Sequence, residues 1–198
     1  MTDRDPGVDP GLVPGLVPGL VPGLDPGLEP GLTIRPVEPS IWPVYRAVRL
    51  AMLLDTPLAY GSTFAREVAF PDELWVERMG DSNGWLAFEG ELPVGAVTSF
   101  HAPTQPDDET YLVAMWVASH ARGRGVADQL VRALLDHAAG AGLRRVTLDV
   151  ADDNERAIGF YERVGFTRTG RTGELPHQPG VTEFEMELLL SDLPAGSG

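Results

Sequence analysis

The 198-residue sequence contains no cysteine, and its 15 basic residues are all arginine because lysine is absent as well. The lack of cysteine excludes disulfides, thiolate nucleophiles and cysteine-based zinc sites. The lack of lysine excludes a P-loop, whose lysine contacts the bound phosphates. The four histidines lie far apart in the sequence and form no local ligand motif, so no metal site is expected.

Long apolar runs are also missing. No run reaches the roughly 18 residues that span a bilayer, and the N-terminus lacks a positive segment followed by an apolar one. We therefore expect no membrane partner, and the cytoplasm is the expected location.

Acidic residues dominate the charge of the chain. It carries 29 acidic residues against 15 basic ones, which gives a net charge of -14. Such a surface repels a polyanion such as DNA, so no nucleic-acid partner is expected. A cationic or amine-bearing substrate fits this field better.

The first segment of the chain repeats Pro-Gly every four residues, from Pro6 to Leu32. Proline removes backbone donors and glycine adds backbone entropy, so neither a helix nor a sheet is predicted there. We interpret residues 1–32 as a flexible tail. The alternative is a docking segment whose Leu and Val side chains lie in a groove of a neighbouring subunit, in a homodimer. Residues 33–190 are predicted to form the folded domain, and residues 191–198 a disordered C-terminal tail.

After the repeat, the apolar pattern alternates between the periods of strands and helices. Ser40 is predicted to cap the first helix, a weaker helix is predicted over about 71–79, and Gly165 is predicted to end the last helix. The predicted order is strand, two helices, three strands, helix, strand, helix and two strands. This order indicates a mixed α/β domain whose sheet contains both hairpins and crossover connections.

The stretch "ARGRGVADQLVRALLDHA", residues 121–138, places a glycine-rich turn directly before a predicted helix. Free N–H groups at a helix N-terminus, with roughly half a unit of positive charge, favour a bound phosphate. Gly123 and Gly125 let an oxyanion approach the backbone, and Arg122 and Arg124 supply charge. A dinucleotide-binding G-x-G-x-x-G motif is excluded because Asp128 stands where its third glycine would be. The alternative is an ordinary loop with solvated arginines.

Two motifs in the sequence point to one family. The first is Arg122-Gly123-Arg124-Gly125-Val126-Ala127, preceded by the apolar strand "LVAMWV". The second is "NERAIGFYERVGF", in which the matching positions are Asn154, Ala157, Tyr161, Gly165 and Phe166. Together they resemble the GNAT superfamily of N-acetyltransferases, and the resemblance covers about residues 33–190. It implies the GNAT acyl-CoA N-acyltransferase fold, an α/β domain with a central mixed sheet of six to seven strands flanked by about four helices.

The resemblance also implies acetyl-CoA as the cosubstrate, bound in a cleft where the fourth and fifth strands splay apart. The backbone of residues 122–127 would hold the diphosphate, and a main-chain N–H at a bulge of the fourth strand would polarise the thioester carbonyl. Asn154 would contact the pantetheine or the helix start, and Tyr161 would lie near the sulfur. The strand residues that would flank the pantetheine and thioester are Met115, Trp116 and Val117.

Acetyl transfer needs a neutral amine, so an aliphatic amine substrate needs a base. Glu109, just before the apolar run of the fourth strand, is the candidate base, and the alternative is a surface acid beside Asp107 and Asp108. Tyr161 is the candidate donor of a hydrogen bond or proton to the departing sulfur. Its ordinary pKa of about 10 lies above the value of about 8.5 for an alkyl thiol. The alternative for Tyr161 is a core aromatic residue.

The candidate acceptor contacts are Tyr60, Ser62 and Thr63 in a turn-rich loop, and His177 in a loop bounded by prolines. The expected function is direct transfer of acetyl from acetyl-CoA to a primary amine of a small cationic molecule or basic peptide. Two alternatives stay open at this point. One is acetylation of protein N-terminal α-amines, and the other is a non-catalytic CoA-binding module.

Overall fold

A computed structural model describes residues 31–80, 82–174 and 180–192. The described residues form seven strands: β1 (Leu32–Pro36), β2 (Ser82–Glu89), β3 (Leu92–Phe100), β4 (Glu109–Val117), β5 (Arg145–Ala151), β6 (Thr167–Glu174) and β7 (Thr182–Leu189). They also form five α-helices: α1 (Trp42–Asp55), α2 (Phe64–Glu67), α3 (Asp72–Gly80), α4 (Val126–Gly140) and α5 (Glu155–Val164). The predicted fold class, a mixed sheet of six to seven strands flanked by helices, is confirmed.

All seven strands belong to one sheet with the order β1-β2-β3-β4-β5-β7-β6. β4 and β5 pair in parallel, whereas the other neighbours pair antiparallel. α4 joins the parallel pair, because strands with the same direction need a crossover connection. β4 lies at the middle of the sheet, as its apolar sequence predicts.

β4 and β5 separate soon after they meet. They pair only from Glu109 to Tyr111 on β4 and from Arg145 to Thr147 on β5. On the other side of β4, the register with β3 shifts. β3 advances two residues, from Ala96 to Thr98, while the paired segment of β4 advances three residues. The extra residue is a β-bulge, which bends β4. A gap therefore opens between the C-terminal ends of β4 and β5.

Helices cover both faces of the sheet at its centre. The consecutive residues Leu86 and Ala87 on β2 are both fully buried, because they point to opposite faces and both faces are covered. On one face Ala87 joins the larger core cluster with Leu130 and Leu134 of α4. On the other face Leu86 packs with Val48 of α1. The two helical layers hold the β4–β5 gap between them.

Three boundaries differ from the sequence-based prediction. Ser40 does not cap α1: it lies in a single helical turn at Pro39–Ile41, and α1 begins after Ile41. The short helix α2 was not predicted, since one turn of helix carries no apolar period. The folded domain begins one residue earlier than predicted, because Leu32 is only 4% exposed in β1.

Gly165 ends α5 as predicted, with a left-handed φ of 111°. Residues 1–30 and 193–198 lie outside the described residues, so the assignment of both as tails stays a prediction. Over the parts of the chain that the structure describes, no helix combines the length and the apolar character needed to cross a membrane.

Candidate active site

α4 begins directly after a turn whose two glycines have left-handed backbone conformations. Gly123 and Gly125 have φ values of 78° and 73°, and Gly125 is the N-cap of α4. A Cβ at either glycine would meet no atom within 4 Å. The N-cap has no side chain that could occupy the first N–H groups of this 15-residue helix. An open backbone at a positive helix end fits a bound diphosphate.

The two arginines of the turn differ in their surroundings. The Arg122 Nε–H donates to the Val117 carbonyl oxygen at 2.9 Å, and its guanidinium pairs with the Asp55 carboxylate. Arg124 instead pairs with Glu89 at the end of β2, at 2.6 Å. Arg122 lies beside the glycine turn in the same cavity, whereas the Arg124 side chain points to β2. Arg122 therefore lines the glycine-turn side of the site and Arg124 does not, while the charge that both were predicted to supply to a phosphate stays a prediction.

The end of β4 carries the bulge. Among the described residues, Ala114 is the only non-glycine with a left-handed φ, 54°, which is a strained conformation for a residue with a Cβ. The next carbonyl, that of Met115, accepts a hydrogen bond from the Tyr60 hydroxyl at 3.1 Å. Trp116 Nε1–H donates to the Asp55 carboxylate at 2.9 Å. These contacts tie the bulge to the end of α1 and the loop that follows it.

Two cavities meet beside this bulge. The first, which we call the glycine-turn cavity, measures about 670 Å³ and is lined among others by Trp116, Val117, Arg122, Gly123, Gly125, Val126 and Ala127. The second, which we call the carboxylate cavity, measures about 1020 Å³ and is lined among others by Arg49, Arg78, Tyr111, Asp149, Asp153 and Glu183. Residues shared by both cavities include Tyr60, Met115, Asn154 and Tyr161.

Tyr161 stands where the two cavities join. Only 7% of this residue is exposed, and its ring packs edge-on against Phe160 and Phe166 at centroid distances of 5.2 and 5.6 Å. Burial raises the pKa of the Tyr161 phenol, and the neighbouring Tyr60 adds to the shift. The two interpretations of the sequence are therefore compatible, since Tyr161 is a core aromatic residue whose position also borders both cavities.

Asn154 opens α5 at the same junction. Its side-chain oxygen accepts a hydrogen bond from the Ala157 N–H at 3.1 Å, so it caps the helix. The predicted contact with the helix start is observed in this form. Because Asn154 lines both cavities, its amide also borders the space that a cosubstrate would fill.

Glu109 does not lie where a base is needed. It is 5% exposed and accepts from Arg144 at 2.9 Å and from Arg145 at 3.0 Å. It sits at the start of β4, where β4 and β5 are still paired, and it lines neither of the two cavities described above. Its carboxylate oxygens are occupied by two guanidinium groups and lie outside both cavities, so the geometry argues against Glu109 as the base.

Two other carboxylates line the carboxylate cavity and were missed in the sequence. Asp149 is exposed on the cavity wall, yet partial desolvation there and the nearby Glu185 raise its pKa, while desolvation and Asp149 raise the pKa of Glu183. Strand alternation is the signal that could have found them. In "RRVTLDV" Asp149 shares a face with Thr147, and in "TEFEMELLL" Glu183 lies on the same face of the sheet because Ala151 and Glu183 are partners.

The acceptor contacts proposed from the sequence separate into three groups. Tyr60 lines both cavities, as expected for a substrate contact. Ser62 and Thr63 line neither: Ser62 hydrogen-bonds to Glu67, and the Thr63 hydroxyl caps α2 by accepting from the Arg66 N–H at 3.3 Å. Both have local structural roles instead. His177 lies outside the described residues. Among the residues that are described, no three His, Asp or Glu side chains lie close enough to hold a metal ion.

A central strand that bulges away from its parallel neighbour, followed by a glycine turn and a helix, defines the fold and site of a GNAT acetyltransferase. The model of the family described as "Acetyltransferase (GNAT) family" matches residues 50–166 of this chain. The chain belongs to this family. The matched range contains both motifs singled out in the sequence and the junction of the two cavities.

Three similar proteins place the chain within a varied family. Mycothiol acetyltransferase of Corynebacterium glutamicum (strain R) is 41% identical over 90 residues, 44% of this chain and 29% of that protein. N-alpha-acetyltransferase 30 of Schizosaccharomyces pombe is 38% identical over 61 residues, 31% of this chain and 41% of that protein. The chain thus spans less than half the length of these relatives. Spermidine N-acetyltransferase of Vibrio cholerae, solved with CoA and spermine, has a TM-score of 0.64 at 16% identity and covers 82% of this chain and 98% of its own.

Proposed function

We propose that this protein transfers the acetyl group of acetyl-CoA directly to a primary amine of a small molecule or peptide. The observation that carries the proposal is the junction of the two cavities at Met115 and Tyr161. One cavity has the open glycine turn that suits a diphosphate, and the other has the carboxylates that suit an ammonium group. Family membership and the names of the relatives support the same reaction.

Acetyl-CoA, when bound, supplies an acetyl group activated as a thioester. The first N–H groups of α4 and the turn at Gly123 and Gly125 would hold its diphosphate, with Arg122 close enough to share its charge. That interaction would compete with the Arg122–Asp55 ion pair. Met115, Trp116 and Val117 would form the wall along the chain that leads to the thioester.

The transfer step forms a bond from the amine nitrogen to the carbonyl carbon and breaks the carbon–sulfur bond. The amine must first lose a proton, which costs about 4.6 kcal/mol at pH 7 for an amine of pKa about 10.4. We assign Asp149 as the base that takes this proton, because it lines the acceptor cavity and its raised pKa makes it a better base than an ordinary aspartate. Glu183 lies beside it and would help to bind the ammonium form.

Tyr161 is assigned to the leaving sulfur. Its raised pKa makes full proton transfer to a thiolate more unfavourable than for an exposed tyrosine. The phenol therefore stays neutral and would act as a hydrogen-bond donor as negative charge develops on sulfur. The sulfur's proton can then come from solvent after the coenzyme leaves.

The second candidate is acetylation of peptide α-amines. An α-amine of pKa near 7.8 costs only about 1 kcal/mol to deprotonate at pH 7, so one weak base suffices. The observation in its favour is the wide carboxylate cavity, about 1020 Å³, which has room for several residues of a peptide. The likeness to N-alpha-acetyltransferase 30 supports the same candidate.

The proposal is tested by binding and by turnover. We expect calorimetry to detect acetyl-CoA binding, and acetyl-pantetheine, which lacks the diphosphate, to bind far more weakly. A thiol-release assay with acetyl-CoA and a panel of diamines, amino acids and short peptides should show turnover on at least one class. Binding without turnover on any amine would leave a CoA-binding module, and absence of acetyl-CoA binding would overturn the whole assignment.

A further inference from the structure

The carboxylate cavity carries opposite charges at its two ends. Arg49 and Arg78 line the cavity from α1 and α3, which pack on β3 and β2, whereas Asp149 and Glu183 line it from β5 and β7, on the other side of β4. Asp153, in the turn after β5, adds a third carboxylate to that side. A ligand with amines at both ends, such as a polyamine, would place one ammonium group against arginine. The charges instead suit a ligand that is cationic at one end and anionic at the other.

Of the two arginines, Arg78 has the weaker ion pair, so its positive charge is less neutralised. Arg49 holds Glu67 with two hydrogen bonds, of 2.9 and 2.7 Å, and Glu67 is fully buried. Arg78 lies 3.9 Å from the same carboxylate, and 36% of its side chain is exposed. One carboxylate therefore faces two guanidinium groups, which leaves an excess of one positive charge at this end.

The direction of Arg78 is fixed by aromatic rings. Its guanidinium lies 5.5 Å from the centre of the Phe70 ring and 5.8 Å from that of Trp75. Cation–π contacts of this kind restrict the side chain, and its partial exposure leaves room for further hydrogen bonds from the guanidinium. Arg78 is thus a restrained cation on the wall of the cavity.

The sheet sets a lower limit on the distance between the two ends. Arg49 belongs to α1, which packs on β3, and Arg78 to α3, which packs on β2, whereas Asp149 belongs to β5. Strands lie about 4.8 Å apart, and β4 and β5 no longer pair at Asp149, so the two ends are separated by at least about 10 Å. A peptide spans about 3.5 Å per residue, so two to three residues together with an acidic side chain bridge this distance. A single α-amino acid is too short.

The wall between the two ends is apolar. Phe100 and Val113 line the cavity there and are each 37% exposed, and Leu58 at its rim is 61% exposed. An acceptor with an apolar body between its charged groups would cover these side chains.

We propose that the acceptor is a peptide or peptide-like amine that carries an anionic group two or three residues from its amine, and that Arg78 selects this anion. The proposal rests on the proposed acetyl-transfer function and names the acceptor class of the same site. It favours an acidic second or third residue in an N-terminal peptide and disfavours polyamines and basic peptides.

The test compares tripeptide amides that differ only in charge: Ala-Ala-Glu, Ala-Ala-Gln and Ala-Ala-Lys, the same series with the variable residue second, and spermidine. kcat/KM is measured with acetyl-CoA, and the Kd of each peptide is measured by calorimetry on the CoA-loaded protein. In the wild type we expect the better Glu peptide to exceed its Gln partner about tenfold, because a hydrogen-bonded charge pair is gained. The Lys peptides and spermidine should be poorer than the Gln peptides.

Arg78→Gln should bring the Glu-to-Gln ratio close to one, and Arg78→Lys should restore part of it. The matched control is Arg66→Gln, the same change at an exposed arginine that lines neither cavity. It should keep the wild-type ratio. The ratio is measured within one protein preparation, so partial unfolding of a variant cannot produce the effect.

The proposal is overturned if the Glu and Gln peptides perform equally in the wild type, if Lys peptides or spermidine are preferred, or if Arg78→Gln keeps the wild-type ratio. Charge-selective binding without acetylation would uphold the role of Arg78 and overturn the transfer reaction. If the protein acetylates the peptides but binds all of them equally, the transfer reaction is upheld and the role of Arg78 is overturned.

Discussion

At the scale of single residues, Tyr161 combines a packing role with the proposed role beside the departing sulfur. Its ring belongs to the core cluster, and its residue borders both cavities. We expect Tyr161→Phe to keep the ring packing and to lower kcat by about 100-fold, the effect typical of losing one hydrogen-bond donor to developing negative charge. The affinity for CoA should stay within about twofold, because the lost hydroxyl acts on the departing sulfur.

The matched control for Tyr161→Phe is Tyr45→Phe, which removes a hydroxyl from the far end of the carboxylate cavity, near Arg78. Its kcat should fall far less. Single-turnover rates with acetyl-CoA and thermal melting of both variants separate chemistry from folding. Equal kcat values for Tyr161→Phe and the wild type would remove the role assigned to the phenol.

Asp149 should give the reaction its dependence on pH. The pKa of Asp149 is raised above the ordinary value of 3.8 by partial desolvation in the cavity and by Glu185, so the carboxylate is lost as pH falls through this raised pKa. We expect kcat/KM to decline over the same range. Asp149→Asn should lower kcat/KM about 100-fold at neutral pH and remove that acidic limb.

The difference in kcat/KM between wild type and Asp149→Asn should become smaller as pH approaches the pKa of the amine, because the amine then loses its proton without a base. Asp107→Asn is the matched control, since Asp107 is exposed and lines neither cavity. A pH–rate profile of all three proteins is the measurement. An acidic limb that persists unchanged in Asp149→Asn would assign the base elsewhere.

At the scale of elements, we expect the backbone of the turn before α4 to determine the affinity for CoA. Gly125→Ala places a Cβ on a residue with φ of 73°, which costs about 1–2 kcal/mol. No atom lies within 4 Å of that Cβ, so strain rather than a clash is the cause. We expect the turn to shift and the Kd for CoA to rise about tenfold, while folding is kept.

Calorimetry with CoA and thermal melting check this prediction together. Gly140→Ala is the control, because Gly140 lies at the other end of α4, where a Cβ would also meet open space, but its φ is not left-handed. This variant should bind CoA as the wild type does. Unchanged CoA affinity in Gly125→Ala would show that the turn backbone does not contact the diphosphate.

The Arg49–Glu67 pair joins α1 to α2 and supports one wall of the carboxylate cavity. Burial alone would raise the pKa of Glu67, but the hydrogen bonds and charge of Arg49 outweigh it, so the pKa is lowered. We expect Glu67→Gln to lower the free energy of unfolding by about 3 kcal/mol at neutral pH, because a buried guanidinium loses its charged partner. The control is Glu91→Gln, because Glu91 forms an exposed ion pair with Arg35. This variant should change the free energy of unfolding little.

The sign of the pH effect follows from the lowered pKa of Glu67. Its stabilising contribution is complete above the ordinary value of 4.5 and is lost as pH falls through the folded-state pKa. Urea unfolding at several pH values should therefore show the stability gap between wild type and Glu67→Gln closing below about pH 4.5. A gap that is independent of pH would mean that packing, and not charge, is lost in the variant.

The sequence predicted those elements whose ends are marked by nearby residues in the chain. The glycine turn, the start of α5 at Asn154 and its end at Gly165 are all marked by residues with special backbone or capping chemistry. Glu109 was the candidate base and Asp149 was not considered, because the sequence does not show where β4 and β5 stop pairing. The ion pair of Arg124 with Glu89 was not predicted for a similar reason, since Glu89 is distant in sequence and near only across the fold.

At the scale of the whole molecule, the net charge of -14 opposes an anionic coenzyme. The Debye length is about 30 Å at 0.01 M salt and about 8 Å at 0.15 M. Added salt therefore screens the distant acidic residues, while the contacts at the glycine turn and Arg122 act over shorter distances. We expect the association rate constant for CoA to rise about threefold between these two salt concentrations, the reverse of electrostatic attraction.

Stopped-flow fluorescence can follow this association, because Trp116 lines the glycine-turn cavity. Acetyl-pantetheine is the matched ligand without phosphate charge, so its association rate should not change with salt. The dissociation rate of CoA should rise with salt to a smaller extent, since it depends on contacts already formed. If the association rate of CoA falls as salt is added, the local positive charge of the turn outweighs the acidic surface, and the capture of the coenzyme is steered by its site alone.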